Sequence, residues 1–359
     1  KPCRYSTIHR KEAIMEYGVG LDTSLGISYD QDLEMSKYAS KYGYTSIWTP
    51  EHRVYDSFVL CLERWNATRE HTDAGLSTGI GVSPVNLRSP FALAMTASTI
   101  SKRTNGKFIL GIGSGGVYRE ATRNSLGFSK VSVLSLMTDY LSIIKPLVHN
   151  QTVNYTGDTV SLHNANLGTG NEYPTPIYLA ALGPKMLGVG AKLADGIALN
   201  WCSTEQIAWS REIIKTEAEK NNRNPDEIKV VQYIRMCIDN DVDLARKAFI
   251  QSMLGYALGS PNASPSEKRM GYRGHFERMG FAEELNKLDI MRSEGASQDK
   301  LIDSFPEDLA LKVGYFGAPD GAKDHFMKLS EGLDTAIVRV VAARPIIDST
   351  KLVIDTCKP

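Results

Sequence analysis

The sequence predicts a (β/α)8 barrel with insertions, and three observations carry that prediction. Eight short apolar runs alternate with helical stretches, the pattern of parallel strands joined by crossover helices. The 359 residues exceed the roughly 250 of a plain barrel and leave room for insertions. The one GxGxxG match, Gly111-Ile112-Gly113-Ser114-Gly115-Gly116, follows the fourth strand and not the first, where an open dinucleotide-binding sheet carries its fingerprint.

Taken in order, residues 1–16 form an extension, and Tyr17–Leu21 reads as the first strand, ending at Asp22. A helix over Ser28–Lys41 stops at Gly43, where a C-terminal glycine is favoured. Thr45–Thr49 is the second strand and leads into Pro50-Glu51-His52-Arg53; a helix covers Ser57–Ala67. Ala74–Val82 is the third strand, followed by a helix over Ser89–Arg103 rich in small residues such as Ala94, Ala97 and Ser98. Phe108–Ile112 is the fourth strand, closed by Gly113-Ser114-Gly115-Gly116, and an apolar helix spans Val131–His149. The polar residues 151–175 break the rhythm and read as a first insertion, with short strands near Val153–Tyr155 and Val160–Leu162. Strands at Ile177–Ala181 and Ile197–Asn200 resume it, with a helix from Pro184 between them and another over Glu205–Lys220. Ile228–Ile238 is the seventh strand. Residues 241–305, helical and charged with a break at Gly259–Ser264, form a second insertion. Helices over Pro306–Val313 and Asp320–Glu331 precede the eighth strand, Thr335–Val341, and the whole chain reads as one barrel domain.

Lys+Arg and Asp+Glu balance at 41 each, so no general positive field exists to gather nucleic acid or an anionic membrane. The five cysteines (Cys3, Cys61, Cys202, Cys237, Cys357) show neither CxxC nor metal spacing, which suits reduced, buried thiols. The start KPCRYSTIHRKEAIMEYG lacks an apolar leader core, and no run is long enough to span a bilayer. The expectation is a soluble cytoplasmic protein with a trimmed start, acting on a small molecule, without a metal.

In such a barrel, chemistry gathers at the C-terminal ends of the strands. Those positions are Asp22, Glu51-His52, Ser83–Arg88, Gly113–Gly116, Gly183–Met186 and Asn200–Cys202. A helix opening at Gly183-Pro184-Lys185 aims free N–H groups and its dipole at the rim, with a lysine beside them, and so makes a competent phosphate site. The alternative is a plain Gly-Pro turn with a solvated Lys185. Glu51-His52 is an acid/base pair at a strand end, or else a structural one. Gly79-Ile80-Gly81 inside a β-branched strand marks a bulge against which a flat ring can lean, or tight barrel packing. Gly113-Ser114 opens a loop able to admit phosphate or ribityl hydroxyls.

Several pieces then fall in a familiar order: Thr49-Pro50-Glu51-His52, Thr78-Gly79-Ile80-Gly81-Val82-Ser83-Pro84, Gly106–Gly113, Ala181-Leu182-Gly183-Pro184-Lys185-Met186, Gly317-Ala318-Pro319-Asp320 and Gly332-Leu333-Asp334. Together they resemble the bacterial-luciferase-like superfamily, and within it the coenzyme F420 branch typified by methylenetetrahydromethanopterin reductase. The resemblance implies a deazaflavin lying across the strand ends and hydride transfer between its C5 and a substrate carbon. It implies a non-prolyl cis peptide at Gly79–Ile80 behind the ring, with Gly81 and Ser83 beside it. The phosphate would sit at Gly183–Met186, with Ala181 and Leu182 also binding the cofactor, and Glu51-His52, with Asp22, would serve as acid, base or ring contact. Homodimerisation would use helices 57–67 and 89–103, and both insertions would shape the substrate pocket. Relatives carry a glutamate after strand one or after strand four, where this chain has Gly20 and Gly116. An FMN-dependent monooxygenase and a non-catalytic flavin-binding protein are the other readings of the same resemblance.

Overall fold

The computed structural model describes residues 15–22, 25–51, 54–168, 172–344 and 347–359. Its framework follows from buried apolar strands and helices whose first turns are capped by side chains. The strands are β1 (Glu16–Gly20), β2 (Ser46–Thr49), β3 (Ser77–Pro84), β4 (Phe108–Gly113), β5 (Val153–Tyr155), β6 (Leu162–Ala165), β7 (Ile177–Ala180), β8 (Gly196–Asn200), β9 (Lys229–Ile238), β10 (Gly314–Gly317) and β11 (Thr335–Val340). Parallel pairing runs β11-β1-β2-β3-β4-β7-β8, and β9 joins β8 to β11, so eight strands close into a cylinder in chain order. The expected (β/α)8 barrel is present.

The first helices show why the chain turns where it does. Ser28 and Gln31 form a reciprocal capping box on α1 (Tyr29–Ser40), and Asp56 caps α2 (Ser57–Thr68). Ser89 followed by Pro90 starts α3 (Pro90–Arg103). Beyond the short α4 (Glu120–Leu126), Ser132 caps α5 (Val133–Val148). Gly183-Pro184 starts α6 (Pro184–Leu193), and Ser203 caps α7 (Thr204–Lys220). The second insertion is helical throughout: α8 (Val242–Leu258), α9 (Pro265–Met270), α10 (Tyr272–Phe276), α11 (Ala282–Ser293) and α12 (Gln298–Asp303). Then come α13 (Glu307–Val313), α14 (Ala322–Leu329) and a closing α15 (Ile347–Cys357). No described helix is long and apolar enough to cross a membrane.

Three details differ from expectation. The third strand starts at Ser77 rather than Ala74, because Gly75 turns in the left-handed region (φ +66°). Gly314–Gly317, expected as a loop, is a ninth strand. It exists because β9 is long: Lys229–Tyr233 pairs with β8, and Arg235–Ile238 runs on past it and pairs with β10. The first insertion is an antiparallel hairpin, β5-β6, tied to α5 by Asp139, whose carboxylate accepts from Tyr155, Thr159 and the Val160 N–H. None of its described residues lines the rim cavity described below, so only the second insertion shapes it.

Apolar side chains sort into three groups. The largest fills the layer between barrel and helices, a second lies among β9, β10 and the helices α8–α13, and a small one sits inside the barrel. The interior group is Trp48, Tyr178, Val231, Tyr233 and Ile337. Arg64 is fully buried in the outer layer, where its Nε and Nη2 meet both Asp32 carboxylate oxygens at 2.7 and 2.6 Å and Nη2 also reaches the Leu21 carbonyl. This pair ties α1 and α2 to the end of β1. Removing one partner strands the other charge in a dry site, so Arg64→Ala should cost about 3–5 kcal/mol in urea unfolding. A loss under about 1 kcal/mol, the range of exposed pairs, would show that water reaches Asp32.

Candidate functional site

A cavity of about 1040 Å³ opens over the C-terminal ends of the strands. Its floor is the top of the barrel interior, Trp48, Tyr233 and Ile337; its sides are Gly81-Val82, Gly113–Gly116 and Ala180–Met186. Its roof comes from the second insertion, including Tyr256, Tyr272 and Arg278.

The floor depends on glycines that leave space for rings. A Cβ on Gly79 would lie 2.3 Å from the Trp48 ring, and one on Gly18 3.0 Å from it. A Cβ on Gly20 would lie 2.7 Å from the Tyr233 ring, and one on Gly81 3.1 Å from its hydroxyl. Gly20 therefore stands where a glutamate would collide with Tyr233. The β3–β4 ladder shifts register between Ile80 and Ser83, and within that shift the Gly81–Val82 peptide is cis. The non-prolyl cis bond expected at Gly79–Ile80 is thus two residues further on. Gly79 and Ile80 remain paired in register with β4, and it is Val82 that leaves the ladder, its methyls packing where Gly111 and Gly113 lack side chains.

The anticipated site residues divide accordingly. Gly81, Gly113, Ser114, Ala181, Leu182, Gly183, Pro184, Lys185 and Met186 line the cavity. Gly79 packs on Trp48, Ile80 is buried in the outer layer, and Ser83 is buried with its hydroxyl donating to Glu51. Glu51 also accepts from Arg88, which reaches Asp56 at 2.6 Å as well. Asp22 is buried in an ion pair with Arg339. Neither carboxylate is among the cavity-lining residues. His52 lies outside the described residues. No cluster of three or more His, Cys, Asp or Glu suited to a metal occurs among the described residues.

Charge in the cavity is lopsided. Arg119, Lys185, Lys268, Arg269, Arg273 and Arg278 line it against the single carboxylate Glu267, in a chain whose formal net charge is +0. Lys268 and Arg273 share Asp289, whereas Lys185 is exposed beside the start of α6. A Cβ on Gly183 would meet nothing within 4 Å, so the amide edge of that helix start is open. Helix dipole, free N–H groups and lysine converge there on an anion.

Two inward side chains of β9 were not foreseen. Tyr233 is buried and its hydroxyl has no hydrogen-bond partner among the described residues, while burial pushes its ionisation upward. Arg235, 2% exposed, lies with its guanidinium 3.7 Å from the Trp201 ring centre. Burial, with Arg339 nearby, pulls its pKa down to about 10. The signal available in sequence was the arginine itself, a charge in the middle of a mostly apolar strand.

The profile of the luciferase-like monooxygenase family matches residues 11–335, and the chain belongs to that family; it is an enzyme of this superfamily. It is 26% identical over 322 residues to 5,10-methylenetetrahydromethanopterin reductase of Archaeoglobus fulgidus, covering 86% of this chain and 88% of that one. The same enzyme of Methanolobus tindarius is 24% identical, covering 87% and 89%. In fold, the chain is similar to the coenzyme F420-dependent tetrahydromethanopterin reductase of Methanopyrus kandleri, with a TM-score of 0.75, 20% identity, and coverage of 96% and 98%. It is also similar to an F420-dependent secondary alcohol dehydrogenase held with an F420–acetone adduct, at a TM-score of 0.71, 14% identity, and coverage of 96% and 99%.

A buried hydroxyl without a partner is a standing cost, so Tyr233→Phe should stabilise the ligand-free protein by about 1 kcal/mol in urea unfolding. A loss of stability instead would show that the hydroxyl is already satisfied.

Proposed function

We propose that this chain is an F420-dependent oxidoreductase, similar to methylenetetrahydromethanopterin reductase, that moves a hydride between the deazaflavin and a substrate carbon in the rim cavity. The observation that carries the reading is the cationic cavity with an open helix start at one end, in a chain aligned over nearly its full length with two such reductases. A flat ring with an anionic tail suits that shape and charge. Gly183–Met186 would hold the tail phosphate, Gly113 and Ser114 the hydroxyls of the linker, and Gly81-Val82 with Tyr233 the ring. When bound, the deazaflavin supplies the hydride chemistry. The chain's own residues bind, orient and shield it, and such positioning can lower a barrier by several kcal/mol. The ion-paired Asp22 and Glu51 fit a role in fixing the rim better than one in moving protons.

The test is an anaerobic spectral titration of the purified protein with F420 and with FMN, followed by turnover of methylenetetrahydromethanopterin with reduced F420. Tighter F420 binding with turnover is expected; FMN binding with oxygen-dependent turnover would replace this reading by the monooxygenase one, and binding without turnover on any substrate by the flavin-carrier one. Lys185→Glu should weaken F420 about tenfold, roughly 1.4 kcal/mol. Unchanged affinity would take Lys185 out of the site.

A homodimer through α2 and α3 belongs to the same proposal. Val54, Val59, Leu87 and Met95 are 60%, 56%, 52% and 50% exposed, and all lie on these two helices or the loops leading into them. Four exposed apolar side chains along these elements support a contact surface there. Sedimentation should give twice the chain mass, and Val59→Glu with Met95→Glu should halve it; an unchanged mass would place the interface elsewhere.

A further inference from the structure

Arg235 is a buried cation for which no carboxylate partner occurs among the described residues. Its Nη1 donates to Asn200 Oδ1 at 2.7 Å, its face rests on Trp201, and its Nη2 has no partner among the described residues. Burying a charge in this way is costly unless an opposite charge arrives. Asn200 passes the polarity onward, since its Nδ2 donates to the hydroxyl oxygen of Tyr272 at 2.7 Å. The amide is thereby held from both ends, oxygen to the cation and NH2 to the phenol. Tyr272 spends its oxygen on Asn200, which leaves its own O–H hydrogen to donate elsewhere. Tyr256 fixes the ring edge-on, with centres 4.9 Å apart at 90°. Asn200, Tyr256 and Tyr272 line the cavity and Arg235 stands behind them.

We propose that Tyr272 is the substrate-contacting donor of an anion subsite in the cavity roof, donating its O–H to a carboxylate of the substrate, with Arg235 and Asn200 as positioning residues acting through it. A chain of hydrogen bonds beginning at a cation strengthens each successive donor. The outermost donor, Tyr272, therefore favours an acceptor that carries negative charge over a neutral one. The subsite is separate from the helix start at Gly183. It rests on the reading of this cavity as the ligand site and not on which cofactor fills it.

The test uses the ligand-free full chain with benzoate as the probe in titration calorimetry. Wild type should bind benzoate, and Tyr272→Phe should lose about tenfold. Arg235→Met, which keeps an unbranched stem against Trp201, should lose as much without touching the probe. The double variant should bind no more weakly than Tyr272→Phe alone, because both changes cut one chain. Asn200→Ala breaks the relay while sparing the cation and should match, and Arg235→Lys should restore part of the loss. Thermal midpoints of all variants establish that they are folded, and if Arg235→Met is not, the Asn200→Ala and Tyr272→Phe pair supplies the cycle. No benzoate binding by wild type, equal binding by Tyr272→Phe, or losses that multiply would each overturn the proposal. Failure of F420 to bind while this cycle holds would remove the cofactor reading and leave the subsite standing.

Discussion

Two aromatic rings set the geometry of this barrel. Trp48 and Tyr233 point inward from β2 and β9 and need more room than neighbouring side chains could leave, so the strands beside them carry glycine. Gly18 and Gly79 make space for the indole, Gly20 and Gly81 for the phenol. The interior is thus packed by large rings on some strands meeting bare backbone on others, which reaches the density a barrel core requires. The floor of the cavity follows from this. Where Tyr233 rises beside Gly81, β3 leaves its ladder and presents the Gly81–Val82 peptide to the cavity. A side chain at 20 or 81 would displace the phenol and with it the surface on which a ring can lie.

Electrostatics divides the rim into a settled part and an unsettled one. Asp22 with Arg339 and Glu51 with Arg88 are ion pairs at the ends of β1 and β2, and they lock the loops on that side. Across the cavity the cations outnumber the carboxylates, and at Arg235 a positive charge is buried with only neutral hydrogen-bond partners among the described residues. Net charge over the chain gives no hint of this asymmetry, since 41 cationic and 41 anionic residues cancel. What matters for an anionic ligand is the local surplus in a cavity where water screens poorly.

The architecture was legible because parallel barrel strands are alike: the eight closing strands are short, largely buried runs ended by turns, and each overlaps the run expected for it, the third starting three residues later. The helix start at Gly183 was equally plain, since proline at the first helical position is a local signal. The rest depends on contacts distant in sequence. Gly79 and Gly81 look alike in the chain, yet one packs on Trp48 and the other abuts Tyr233, and only the ring positions decide which peptide leaves the ladder. β10 escaped notice because four residues with two glycines carry no strand pattern; its partner is the overhanging end of β9. Asp22 and Glu51 stood out as candidate acids because sequence cannot show that Arg339 and Arg88 reach them. Conversely Asn200 was noticed only as part of a turn, and its pairing with Tyr272, 72 residues away, belongs to tertiary structure.

Four buried polar atoms at this end of the molecule, the hydroxyl of Tyr233, Nη2 of Arg235, Nε1 of Trp201 and Nδ1 of His275, find no partner among the described residues. They lie at the barrel top or at its junction with the second insertion, where Trp201 itself adopts a left-handed backbone conformation (φ +56°) uncommon for a bulky residue. A core shaped only for stability would fill such positions with apolar side chains of the same size, because an unpaired polar atom in a dry site costs more than a missing hydrogen bond returns. One is compensated in part, the Arg235 guanidinium by the face of the Trp201 ring beneath it. These four atoms thus lie near the surplus of positive charge and the roof that covers it, where the protein gives up stability that apolar packing of the same size would keep.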